Sequence, residues 1–182
     1  MAIAVRSYST ATFVGNVDST ATPGSQILMP SGLAVGDYLV IGVFFAQELG
    51  NSTVVVPTGF TQLTANGTSS NRMFVTYGMA ITDSTVLSSV SGGVYLRAAA
   101  TATRVVAIAA ALTGVAGFSS AATLNYTNAA ASSVTYNPPA TGDTKFYFVV
   151  TNSSSPSTSP AHTSVGGSKV VQAVSPSATG PT

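Results

Sequence analysis

The sequence has no cysteine and no tryptophan, a single histidine, and very little charge: six basic and five acidic residues, 6% of the chain. Each shortage excludes something. Without cysteine there is no disulfide framework and no thiolate metal site, and the redox compartment stays open. A Ser–His–acid triad would have to use His162, which lies in a Ser/Pro-rich loop, and no Gly-x-Ser-x-Gly elbow supplies a nucleophile. His162 therefore reads as a surface histidine. The bases are scattered and the net charge is +1, so no basic patch for nucleic acid forms. The longest apolar stretch, Val105 to Leu112, falls far short of the roughly 20 residues that span a bilayer. Met1 to Tyr8 lacks the basic region and apolar core of a signal peptide. These absences predict a soluble protein made without a Sec-type signal, with no nucleic-acid and no membrane partner.

The acids are Asp18, Asp37, Glu48, Asp83 and Asp143. Each stands beside a turn residue or at a strand end, where aspartate bonds its own backbone. A glycosidase needs two carboxylates across one cleft, and calcium needs Asp-rich ligand spacing; neither pattern is present. We assign no catalytic, cofactor-binding or metal-binding residue and no cofactor, and expect no enzyme. Asp143 and Lys145 alternate with Phe146 as edge-strand charges would. Arg72, Arg97 and Arg104 read as solvent-facing, with ion pairs inside an interface as the alternative. The seven tyrosines, Tyr8, Tyr38, Tyr77, Tyr95, Tyr126, Tyr136 and Tyr147, read as core or rim rather than as a sugar-binding groove.

What is abundant is strand chemistry. Hydrophobic residues make up 45% of the 182 positions, and most cluster in short runs between turn residues. Val35 to Ala46 reads as a strand: Gly36-Asp37 marks its start, and the nearly unbroken apolar run from Tyr38 to Phe45 has a length that suits a strand buried on both faces. Thr53 to Leu63 begins a second run, which Pro57-Thr58-Gly59 turns into a corner. We expect these two to form the central pair. Ile3 to Val14 has strand character, with Tyr8 and Phe13 as inward anchors, and Gln26 to Met29 is a short strand closed by Pro30. Asn66-Gly67 signals a hairpin turn, with Arg72 to Ile81 returning. Asp83 to Gly93 is loop-like, with Val86 and Leu87 tucked in. Gly93 to Arg97 is a strand. Ala98 to Leu112 is alanine-rich, so a helix is the alternative, but it lacks a helical stripe and Thr103 to Leu112 reads as a buried strand. Ala121–Tyr126, Ser132–Tyr136, Lys145–Val150 and Ser168–Val174 complete about ten strands. That pattern predicts an all-β chain, an antiparallel β-sandwich of jelly-roll-like form. Residues 1–174 make a single β-sandwich domain and 175–182 a flexible C-terminal tail.

Four stretches carry a resemblance. Gly36-Asp37-Tyr38-Leu39-Val40, Pro57-Thr58-Gly59-Phe60-Thr61, Val75-Thr76-Tyr77, and Val105 to Gly114-Val115 together resemble β-sandwich modules in minor tail and other virion proteins of tailed phages, especially those of actinobacteria. The match runs from about Gly36 to Val115, and its motifs are structural corners. Phe60 stands where the family usually has tryptophan. The family also tends to close with a further strand beyond the Pro/Gly segment, where this chain stops at Thr182; closure then falls to a neighbouring subunit or to the N-terminal strand. The resemblance implies a structural, non-enzymatic component of a tailed-phage virion, a minor tail protein at the tail or capsid surface, assembled in the host cytoplasm. Its partners would be itself, as a homotrimer, and other virion proteins. A near-neutral Ser/Thr/Ala surface, which desolvates cheaply, suits permanent contact with neighbours. The alternatives are a capsid decoration or head-fibre protein, and a carbohydrate-binding module whose partner is a host-surface glycan.

Overall fold

A computed structural model describes residues 3–14, 25–46, 54–68, 72–98, 104–117, 150–152 and 173–175. Among them the elements run β1 (Ala4–Val14), β2 (Ser25–Ile27), β3 (Tyr38–Ala46), β4 (Val54–Val55), β5 (Thr61–Thr68), β6 (Arg72–Ala80), α1 (Ser84–Val90), β7 (Val94–Ala98), β8 (Arg104–Thr113), β9 (Val150–Asn152) and β10 (Ala173–Ser175). The described residues are mostly antiparallel β-strand with one short helix, consistent with the all-β class that the runs predict. A five-stranded antiparallel sheet has the order β1-β8-β3-β6-β5, and a three-stranded one the order β2-β7-β4. A parallel pair, β9 and β10, stands apart in hydrogen bonding, with β10 approaching β8.

The two antiparallel sheets pack through one core. Leu39, Ile41, Val43 and Phe45 of β3, Val75, Tyr77 and Met79 of β6, and Val105, Ala107 and Ala109 of β8 meet Ile27 of β2 and Val94 and Leu96 of β7. Each of the larger side chains contributes about 2 kcal/mol by leaving water. Strand β3 is buried on both faces, as its continuous apolar run predicts. Val40 turns to the opposite side, with Ala110 and Leu112, against Val5, Tyr38, Leu63 and Val115. Small residues permit this crowding: a Cβ on Gly78 would lie 2.8 Å from the Tyr38 ring and 2.9 Å from Leu63.

The pairs β1/β8, β2/β7 and β3/β6 are nested in sequence, whereas β4 pairs with β7 and β5 with β6.

Several expectations need correction. Val35–Ala46 and Thr53–Leu63 are not a pair: β3 lies between β6 and β8. The reason is the corner. The Phe60 N–H donates to the Pro57 carbonyl at 3.0 Å, and Gly59 takes a φ of +83° that side chains resist. The chain thereby crosses from one sheet to the other, leaving β4 beside β7 and sending β5 to β6. Asn66 and Gly67 are not the hairpin turn either, because they sit within the β5 ladder opposite Phe74 and Met73; the link falls at 69–71, outside the described residues. Tyr8 points outward and is 53% exposed, because the register sets it opposite Ala110, on the face away from the main core. The Phe13 side chain lies outside the described residues.

Residues 84–90 are helix, not loop. Asp83 caps it, its carboxylate accepting the N–H groups of Thr85 and Val86 at 2.8 and 3.0 Å. Val86 and Val90, four apart, and Leu87 supply the apolar side that packs on the core. The stretch expected as a strand over Thr103–Leu112 is strand rather than helix over Arg104–Thr113, as β8. Ala121–Tyr126, Ser132–Tyr136 and residues 145–149 fall outside the described residues, and β10 runs one residue past the expected domain end at 174.

Candidate functional site

The most tightly bonded polar group is Asp37, at the turn that opens β3. Its side chain is 2% exposed and Arg6, from β1, is 43% exposed. The Arg6 Nε donates to Oδ2 at 2.9 Å and Nη2 to Oδ1 at 3.0 Å, a two-pronged pairing. The Ala34 N–H adds a third bond to Oδ2 at 2.8 Å. The backbone locks the same turn to the end of β6, with Gly36 N–H on the Ile81 carbonyl at 2.8 Å and Ile81 N–H on the Asp37 carbonyl at 2.9 Å. The register shift between Val5 and Ser7 places Arg6 as the extra residue in β1. Asp37 thus bonds its own turn, as read from the sequence. Its link to Arg6, across 31 positions, left no local signal.

Beside this clasp, Ser7 and Ser9 of β1 donate their hydroxyls to the carbonyls of Ser31 and Leu28. Side chains therefore join the two sheets along this flank.

Asp83 is fully exposed. The N–H of Val86, the Thr82 hydroxyl and the N–H of Thr85 hold its carboxyl below the ordinary aspartate range. Tyr77 is buried in the core, its hydroxyl has no hydrogen-bond partner among the described residues, and desolvation drives its phenol well above the ordinary tyrosine range. Burial raises Tyr38 as well. Neither phenol is poised for proton transfer near neutrality.

The outer face of the three-stranded sheet carries Gln26, Val55, Tyr95 and Arg97, placed together by the pairings Gln26↔Tyr95 and Val55↔Arg97. Tyr95 is 43% exposed, and the Arg97 guanidinium carbon lies 5.9 Å from its ring centre, within cation–π range. Gln26 is committed to the Gly92 carbonyl at 2.6 Å. Tyr8 and Tyr95 belong to different sheets, so the tyrosines do not gather into one groove among the described residues. His162, Asp18, Glu48, Asp143, Lys145, Tyr126, Tyr136 and Tyr147 lie outside the described residues, as do the side chains of Arg72 and Arg104. No cluster of three or more metal-ligating side chains occurs among the described residues, and no described helix is long and apolar enough to cross a membrane.

Comparison with known proteins returns no matching protein family, no matching curated protein and no matching solved structure.

Proposed function

We propose that the protein is a structural, non-enzymatic component of a tailed-phage virion, a minor tail protein that assembles as a symmetric oligomer. The observation that carries this reading is where the motif residues fall. Gly36-Asp37 forms the clasp that binds the start of β3 to β1 and to the end of β6, and Pro57-Thr58-Gly59-Phe60 is the corner that passes the chain between sheets. Two of the stretches that carry the resemblance to virion β-sandwich modules are thus ones that set the frame. Both described acids, Asp37 and Asp83, are bound into that frame as well. A surface with so little charge supports lasting contact with neighbours, since little must be desolvated.

Immunogold labelling of purified particles tests the reading, with tail-associated label as the expected result. Label over the head would point to a capsid decoration protein instead. Particles free of the chain, with all of it soluble in the lysate, would overturn a virion role.

A further inference from the structure

We propose that β5 is the assembly edge: two copies pair β5 against β5, antiparallel about a two-fold axis, and so join their five-stranded sheets into one. The inference takes the symmetric oligomer of the preceding reading as its starting point and names the interface.

A sheet edge presents N–H and C=O groups that another strand can take up. Among the described residues the two antiparallel sheets have four edges, β1, β5, β2 and β4. Strands β2 and β4 are three and two residues long, and each is soon followed by proline, Pro30 and Pro57, which cannot extend a ladder. Strand β1 is long, but it carries the charged Arg6; like β5, it is bulged near its start. The carbonyls of Leu28 and Ser31 also run along its flank on the bonds from Ser9 and Ser7.

Strand β5 is longer than β2 and β4 and, unlike β1, carries no charge. Its eight residues, Thr-Gln-Leu-Thr-Ala-Asn-Gly-Thr, include no charge and no proline. Its one irregularity lies between Gln62 and Thr64, near the start; from Thr64 to Thr68 it pairs in register with Thr76 to Arg72. Among the described residues its only ladder partner is β6.

Charge identifies the occupant. A strand paired with its own copy sets equivalent positions against each other across the axis, so any charge near the centre would meet its like. An uncharged strand tolerates this. Every ladder in the sheet is already antiparallel, and an antiparallel partner continues it. The contact uses the same surface on both copies and closes at two, whereas β5 against the β1 edge of another copy would run on as a fibre. A two-fold thus takes the place of the three-fold expected from the resemblance.

Sedimentation equilibrium on the full chain should give twice the 18.2 kDa chain mass. Thr64→Lys/Asn66→Lys should fall to 18.2 kDa with an unchanged far-ultraviolet spectrum, and Thr64→Glu/Asn66→Glu should do the same. Mixing the two variants should restore the dimer mass, since opposite charges then face each other. A wild type that stays monomeric at its highest soluble concentration overturns the pairing. So does an oligomer that neither variant changes, or a mixture that stays monomeric. Without any substitution, amide exchange across residues 61–68 should slow as wild-type concentration rises; exchange independent of concentration is equally fatal. Virion labelling bears only on the parent reading: unlabelled particles with an intact β5 dimer overturn that reading and leave the pairing standing.

Discussion

Asp37 and Tyr77 show how differently two buried polar groups are treated. Asp37 has three nitrogen donors around it, so losing one partner leaves the other exposed to a desolvation cost. Asp37→Ala should destabilise by about 2–3 kcal/mol, the usual range for bonds to a charged group. Arg6→Met strands the carboxylate, and the double variant should be more stable than the sum of the single costs predicts, with a coupling of about 1–3 kcal/mol. Urea denaturation of the four proteins measures this, and strict additivity would show that the clasp contributes no joint stability. The Tyr77 hydroxyl has nothing to lose. Tyr77→Phe should be neutral or stabilising by up to about 1 kcal/mol, and a clear drop in melting temperature would mean that the hydroxyl does have a partner. Only the bond of Asp37 to its own turn was legible beforehand. Asp37 was recognisable as a turn acid, but a partner 31 positions away is fixed by the sheet register, and local sequence does not encode that register.

Among the elements, legibility followed the strength of local periodicity. Strand β3 was readable because an unbroken apolar run of that length has one good solution. Strand β8 was readable despite its alanines, because its neighbours are strands and it lacks a stripe. The seven-residue helix α1 was missed, as its serines resemble loop sequence, although Asp83 followed by Val86, Leu87 and Val90 was the signal. Pairing partners were the harder problem. Consecutive runs suggest a hairpin, and only the geometry at Pro57–Phe60 shows the chain leaving one sheet for the other. The cap offers a pH test. Asp83 has a lowered carboxyl in the fold, so its contribution is complete above the ordinary aspartate value and is lost as pH falls through the lower folded value. Asparagine also caps helices but does not titrate in this range. The stability advantage of wild type over Asp83→Asn should therefore shrink as the solution is acidified through that window. An advantage that stays constant in acid would show that the carboxylate charge has no part in the cap.

At the scale of the whole molecule, the shortage of charge is the governing property. The chain has eleven formally charged side chains, and β5 contributes none of them. Association through backbone ladders and neutral side chains has little for salt to screen. The dimer dissociation constant should change less than about threefold between about 50 mM and about 500 mM sodium chloride, because screening acts on exposed charges alone. A tenfold weakening would mean that charged groups hold the copies together.

The pairing of β1 with β8 also has a consequence in time. Among the described residues, 4–14 pair only with 104–113, so on the ribosome β1 waits, edge bare, until β8, the last strand of its sheet in sequence, has emerged. Such distant closure makes folding slow. Through that interval the nascent chain offers unpaired backbone to its siblings on the same message, and the charge of Arg6 with the four Ser/Thr residues of β1 works against such pairing.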